Sequence, residues 1–300
     1  TTTLRVTRLD DSFGRVANPQ TVTNTSQNFS PPIGERVLGI DRLGNYAVVV
    51  AARNTAPVSL WVEVYRLSAL RSQATNAVRT LSAADKLGEF QFDTVAQPYN
   101  NVALRVRMTN HHAVVTYRSR NVFGAPAAWI LDLRPLIDDN PGTTMNANHI
   151  VGRVVEATGA QMTDGKLSGS TLYLIGDDQD LSVGLFTFGA WAAFDTDLAT
   201  KVTENDLLAN PSFPIYGPQA LDVVGSTAVV LGATLGGDAL IVLDVSDPEA
   251  PMRLASTPMP RPLYLTCNFP FSLPPMSSVR LAGTRAYVGT DSYFEVVELE

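Results

Sequence analysis

Residues Gln219–Ser256 read QALDVVGSTAVVLGATLGGDALIVLDVSDPEAPMRLAS, and the rest of the chain consists of imperfect copies of this stretch. It contains four short apolar runs, Ala220–Val224, Ala228–Leu231, Ala239–Val245 and Met252–Ala255. Turn signals separate them: Gly225-Ser226, Gly236-Gly237-Asp238 and Asp247-Pro248. Short runs rich in Val and Leu, bounded by Gly, Pro and Asp, are strands. Four of them in succession make an antiparallel meander, the unit of a β-propeller blade.

Working outward, the pattern Gly225-Ser-Thr-Ala-Val recurs as Gly44-Asn-Tyr-Ala-Val, Asn110-His-His-Ala-Val, Gly169-Ser-Thr-Leu-Tyr and Gly283-Thr-Arg-Ala-Tyr. Each copy lies between two apolar runs and puts Gly or Asn where a two-residue hairpin needs positive φ. Consecutive copies are about 55–65 residues apart, longer than the usual ~40–50 of propeller repeats. Third strands are predicted at Leu60–Leu67, Ala128–Leu133, Ala190–Thr196, Ala239–Val245 and Tyr293–Leu299. Fourth strands are predicted at Val78–Leu81, Ile150–Val155 and Met252–Ala255, with a weaker one near Lys201–Leu207. The last unit has no fourth strand of its own, and Thr3–Leu9 resembles Met252–Ser256. The prediction is therefore an all-β, five-bladed propeller over residues 1–300, closed by Thr3–Leu9 pairing with Tyr293–Leu299, which leaves only short edges. The blades are expected near 36–84, 101–157, 161–208, 218–257 and 276–300 plus 3–9. A pair of β-sandwiches is the alternative for so many short strands. Ala69–Lys86 is the best candidate for a helix.

Ala239-Leu-Ile-Val-Leu-Asp-Val-Ser-Asp-Pro-Glu-Ala-Pro251 resembles the LVIVD repeat of bacterial and archaeal propellers. Leu131-Asp132-Leu133 and Phe194-Asp195-Thr196 keep a fragment of it, whereas Tyr65 and Glu298 stand where the Asp is expected. The resemblance implies an extracytoplasmic propeller and carries no catalytic motif.

Composition narrows the function classes. The chain is 45% hydrophobic and only 17% charged, which suits sheets buried on both faces. A net charge of −7 argues against nucleic acid as a partner. The single cysteine, Cys267, excludes an intrachain disulfide framework and reads as a packed thiol, since no base stands beside it. No apolar run approaches the ~20 residues of a membrane span. The chain starts TTTLRV without Met, which suggests either removal of a targeting segment or a trimmed chain. A secreted, periplasmic or cell-surface location is the expectation. With three histidines, a transition-metal site is not expected, and no cofactor is implied. Asp177–Asp180 and Asp138–Asn140 resemble pieces of calcium loops, without the Gly and distal Glu of an EF-hand. Neither a phosphate loop nor a nucleophile elbow occurs.

The sharpest signal lies in the first strands. Three residues before each hairpin Gly or Asn stand Asp41, Arg107, Lys166, Asp222 and Arg280, all charged; five before stand Gly39, Arg105, Asp164, Ala220 and Ser278. The positions between are mostly apolar, which predicts two layers of mixed charge facing a common axis. The plain reading is structural, opposite charges pairing along a narrow axis. The functional reading is a site for a charged ligand, its arginines taking a carboxylate or phosphate. Glycoside hydrolysis is a sharper variant, with Asp41, Asp164 and Asp222 as acid and base or nucleophile. Against it, the neighbouring arginines would keep the carboxylates ionised. Long loops rich in Pro and aromatics join the units: Asp11–Gly34, Lys86–Asn101 with Tyr99, Leu208–Pro218 with Tyr216, and Pro258–Met276 with Phe271. These rings either pack on their own loops or form a face for a glycan or a protein. The expected function is a non-enzymatic binding or assembly subunit; the alternatives are the hydrolase and a purely structural subunit of a surface complex.

Overall fold

A computed structural model describes residues 2–5, 26–29, 35–53, 57–67, 85–95, 102–119, 126–137, 149–155, 161–177, 189–195, 207–209, 216–234, 237–248, 250–259, 277–289 and 294–299. The protein is all-β, built of small antiparallel sheets. It divides into two compact units, Thr1–Tyr99 with Arg134–Asn146, and Asn100–Leu133 with Ala147–Glu300. No helix among the described residues is long and apolar enough to cross a membrane.

The first unit carries a pair of short strands, β1 (Thr2–Arg5) and β2 (Ser26–Phe29), and one meander: β3 (Glu35–Leu43), β4 (Tyr46–Arg53), β5 (Val58–Arg66) and β6 (Lys86–Val95). One turn of helix, α1 (Arg134–Ile137), belongs to this unit. The Tyr46 hydroxyl donates to the Ile137 carbonyl at 3.3 Å, and Leu136 lies so close to Gly88 that a Cβ there would meet its side chain at 2.5 Å.

The second unit holds four meanders. They are β7 (Val102–Thr109), β8 (His112–Ser119), β9 (Pro126–Asp132) and β10 (Ile150–Val155); β11 (Gln161–Ser168), β12 (Thr171–Asp177), β13 (Gly189–Asp195) and β14 (Leu207–Ala209); β15 (Tyr216–Val224), β16 (Thr227–Thr234), β17 (Gly237–Asp244) and β18 (Met252–Pro258); and β19 (Ser278–Ala282), β20 (Arg285–Gly289) and β21 (Phe294–Glu298).

The hairpin residues behave as their chemistry dictates. Gly44, Asn110, Gly169, Gly225 and Gly283 all have φ between 52° and 61°, the left-handed region that costs Gly nothing and Asn little. A second repeated feature locks four of the five meanders. The residue after the third strand donates its N–H to a carbonyl of the first hairpin turn: Leu67 to Asn45, Leu133 to His111, Val245 to Ser226 and Leu299 to Thr284, at 2.5–2.8 Å.

Within the second unit the sheet β15–β18 is covered on both faces, which explains its near-continuous apolar runs. Leu221, Val223, Ala228, Val230, Ile241 and Leu243 pack with Tyr173 and Ile175 of β12. Ala220, Val229, Leu231 and Leu240 pack with Val279, Ala286 and Val288 of the last sheet. Burying such side chains stabilises by ~1.5–3 kcal/mol each. Trp129, fully buried on β9, meets Tyr117 edge-on, with ring centroids 5.9 Å apart.

Three expectations need correction. Thr2–Arg5 pairs with Ser26–Phe29, Thr2 opposite Phe29 and Arg5 opposite Ser26, and is not the fourth strand of the last sheet. That sheet has three strands, β19-β20-β21, among the described residues. Lys86–Val95, expected as the start of a joining loop, is the fourth strand of its meander; the expected strand Val78–Leu81 falls outside the described residues, as does the expected helix Ala69–Lys86 except for Asp85 and Lys86, the latter of which begins this strand. The physical reason is the period-two pattern of KLGEFQFDTV, which buries Phe90 and Phe92 on one face. Finally, Tyr216 and Pro218 stand in β15, not in a loop before it.

Candidate functional site

The first strand of each meander is an edge strand: one side pairs with its own sheet, and the other has no ladder partner there. Backbone groups of alternate residues point to that free side, and left unpaired in a buried place each costs ~1–3 kcal/mol. In the second unit, charged side chains of neighbouring first strands satisfy four such groups, the N–H of Leu221 and Leu281 and the C=O of Gln219 and Ser277.

Asp164 on β11 is the centre of this arrangement and is 0% exposed. Its Oδ2 accepts the N–H of Leu221 on β15 at 2.9 Å, and its Oδ1 accepts the N–H of Gly165 at 3.0 Å. Arg107 on β7 grips it with both ends of its fork, Nε to Oδ1 at 3.1 Å and Nη2 to Oδ2 at 2.7 Å. Arg105, two residues earlier on β7, adds Nη1 to Oδ2 at 3.0 Å. The same guanidinium then reaches two further strands, donating from Nη1 to the Gln219 carbonyl and from Nη2 to the Ser277 carbonyl, each at 2.7 Å. Ser277 closes the layer by donating its hydroxyl to Gln219 Oε1 at 2.6 Å. One arginine thus ties β7 to β11, β15 and the residue that precedes β19.

Asp222 on β15 repeats the role one sheet further on. Its Oδ2 accepts the N–H of Leu281 on β19 at 2.7 Å. Lys166 of β11 stands 3.0 Å from its Oδ1, and Arg280 of β19 is 4.0 Å from the same oxygen. Asp222 is 2% exposed, so this is also a buried carboxylate.

The electrostatics follow from these contacts. Burial is the largest single influence on Asp164 and pushes its carboxyl up. The charges of Arg107 and Arg105, the Arg107 hydrogen bonds and the Leu221 N–H together outweigh it, holding the group well below the usual carboxylate range. Burial pulls the Arg105 guanidinium below its ordinary value, with Asp164 opposing and the like charge of Arg107 adding to the pull.

The structure therefore brings together six of the residues singled out from sequence: Arg105, Arg107, Asp164, Lys166, Asp222 and Arg280. It gives them a different placement from the one expected. Asp164 and Asp222 are directed at the backbone of the next sheet and closed off from solvent, so they are seam residues and do not line an open channel. Arg105 and Arg280 keep part of their side-chain surface exposed. Asp41 is a partly buried residue of β3 in the first unit. Tyr216 begins β15, and Tyr99 and Phe271 lie outside the described residues, as do Asp138–Asn140 and Asp178–Asp180.

Sequence reasoning missed Gln219 and Ser277, whose contribution is mainly their carbonyls and so leaves little mark in residue type. It also missed an ion network in the first unit. Glu63 stands alone in the apolar run of β5 and is paired across the ladder with Glu89 of β6. Two cations bridge the carboxylates: Arg53 bonds Glu63 and Glu89, and Lys86 Nζ lies 3.1 Å from Glu63 and 2.5 Å from Glu89. The Tyr65 hydroxyl donates to Glu63, and Arg53 lies over the Trp61 ring at 4.1 Å. The Arg53 hydrogen bond lowers Glu89 to about 2, with Lys86 adding to it against the effect of burial.

No protein-family model matches the chain, and no curated protein matches it. Solved structures with a similar chain path include an alpha-L-arabinofuranosidase from Lactobacillus brevis, at 11% identity over 85% of this chain and 83% of that one, TM-score 0.42. The computationally designed Ika8 protein is 10% identical over 88% of this chain and 71% of its own, TM-score 0.41. An exo-beta-1,3-galactanase from Phanerochaete chrysosporium is 10% identical over 87% and 60%, TM-score 0.41. Likeness at this level carries no inference about chemistry.

Proposed function

We propose that the chain is one five-bladed propeller that acts outside the cytoplasm as a non-enzymatic binding or assembly subunit. Five hairpins with the same φ and the same closing hydrogen bond in four meanders support the blade count. The likeness of Ala239–Pro251 to the LVIVD repeat supports the extracytoplasmic setting. The loops joining successive meanders, with the exposed parts of Arg105 and Arg280, would form the face that meets a glycan or a protein.

One observation carries the non-enzymatic reading: each buried carboxylate accepts a backbone N–H of the next first strand and lies against cations, and in Asp164 both oxygens are hydrogen-bonded. A glycosidase needs one carboxyl that holds a proton near neutral pH and a second free to act as base or nucleophile. Asp164 is driven the opposite way by two arginines, and both it and Asp222 are spent on backbone N–H groups. The test is incubation of the purified chain with a panel of polysaccharides and aryl glycosides, alongside binding to the same glycans. Turnover is expected with none of them, and binding is expected to weaken in Arg105→Ala. Turnover that disappears in Asp164→Ala would overturn the reading in favour of a hydrolase.

A further inference from the structure

The sheet β19–β21 has one strand fewer than its sisters among the described residues. What a fourth strand does is visible on β17, which lies between β16 and β18: its residues Ala239–Leu243 are all 8% exposed or less. β21 holds the same third place without that cover, and Phe294 is 56% exposed and Val296 39%.

The direction of the open groups follows from the closing hydrogen bonds. Leu299 donates its N–H toward the β20 side, to Thr284. Residues two apart point to the same edge, so Glu295 and Val297 also face β20. Phe294, Val296 and Glu298 therefore turn their N–H and C=O groups to the outer edge, where no described strand meets them. A row of open groups of this kind is a template for an extended chain.

Charge narrows the occupant. β21 carries two glutamates in five residues. Glu298 is engaged by the Thr284 hydroxyl and Arg285, each at 2.6 Å. One oxygen of Glu295, Oε2, is buried with no hydrogen-bond partner among the described residues. An incoming strand with a cation opposite Glu295 would set opposite charges side by side, whereas an acidic one would set like charges face to face. We propose that β21 is the docking edge for an extended segment of a partner protein, apolar residues alternating with Arg or Lys. Its apolar residues cover Phe294 and Val296 on one face, and its basic residue meets Glu295 on the other. The proposal rests on the assembly reading given above, and this chain's own β1 is already paired with β2.

The test uses two synthetic peptides, an alternating Val/Arg heptamer and its Val/Glu twin, titrated into the full isotope-labelled chain. Saturable binding of the basic peptide is expected, with the acidic twin about tenfold weaker or more. Amide exchange at Phe294, Val296 and Glu298 is expected to slow only with the basic peptide. Val296→Lys, at an exposed position, is expected to abolish both effects with an unchanged thermal midpoint, and Val224→Lys, exposed elsewhere, to change neither. Equal binding of the twins, no protection on β21, or binding that appears only after residues 1–9 are deleted would each overturn the proposal. These results leave the non-enzymatic reading untouched, and glycan turnover would sink that reading without touching this edge.

Discussion

Asp222 stands to Leu281 as Asp164 stands to Leu221: each carboxylate accepts the backbone N–H of the residue one step nearer the hairpin on the next first strand. Counted from Gly169 and Gly225, Asp164 is five residues back and Leu221 four; counted from Gly225 and Gly283, Asp222 is three back and Leu281 two. Two seams therefore share one stagger, at two different heights. The free edge of one strand is closed by the side chain of its neighbour, so the sheets are joined by polar as well as apolar contacts. Asp164 is held in its charged form in spite of its burial, because the charges of Arg107 and Arg105, the Arg107 hydrogen bonds and the Leu221 N–H outweigh the loss of water.

The first prediction is that Asp164→Asn costs ~3–5 kcal/mol of unfolding free energy, because it leaves two guanidinium groups without their buried counter-charge. Asp222→Asn is expected to cost less, since Lys166 and Arg280 are more exposed than Arg107 and solvent compensates them. Denaturant titration of the three proteins measures the difference. Equal losses for the two variants would refute the ranking.

The second concerns acid. A carboxyl held below its unfolded value contributes stability that is complete above the unfolded pKa and is lost as pH falls from there toward the folded pKa. Asp164 lies far below the usual range, and Glu89 is lowered from 4.5 to about 2. Stability is therefore expected to be flat above pH ~5 and to fall steadily below ~4. In Asp164→Asn the fall should be shallower. At the alkaline end Lys86 works in the opposite sense. Burial lowers its value, but Glu89 and Glu63 outweigh that and raise it, so its contribution is present below 10.5 and fades as pH rises past that point. Thermal midpoints from pH 2 to 11 test both limbs.

The third concerns the tight seam between β11 and its neighbours. A Cβ on Gly165 would lie 2.6 Å from a Leu174 methyl, 3.0 Å from Thr116 and 3.1 Å from Val114. Gly165→Ala is expected to destabilise by ~1–3 kcal/mol through overpacking, in spite of the backbone entropy it removes from the unfolded chain. A thermal midpoint at or above that of the parent chain would show that Leu174 swings aside freely.

Much of this architecture was legible because turn chemistry and period-two patterning are local. The hairpin at Asn110-His111 could be aligned with four glycine turns since Asn is the side chain that best tolerates left-handed backbone. β6 was hidden for a related reason. Phe90 and Phe92 carry a strand signal, but they sit in a stretch whose aromatics and flanking proline also suit a surface loop, and only the pairing of Glu63 with Glu89 decides between them. The partner of Thr2–Arg5 was not legible at all, because Ser26-Gln-Asn-Phe29 has no apolar alternation to announce a strand. In the site, alternation identified which residues are charged on one face. It did not say what they face, since the groups Asp164 and Arg105 satisfy are backbone atoms, which every residue carries alike.

The last prediction uses that same turn alignment. Asn110 is the one non-glycine with positive φ among the described residues, at 52°, so Asn110→Gly relieves strain while adding unfolded-state entropy. The two effects nearly cancel, and a change within ~0.5 kcal/mol is expected. Gly225→Val has no such compensation. A Cβ at Gly225 meets nothing within 4 Å, so the space is open and any loss comes from the backbone alone. At φ 60° a β-branched residue is expected to cost ~1–3 kcal/mol. Gly225→Ala, Gly225→Val and Gly225→Asn measured together separate conformation from packing: the expected order of stability is Asn above Ala above Val. An order that follows side-chain size on the polar side as well, with Asn below Ala, would show that crowding and not φ governs the turn.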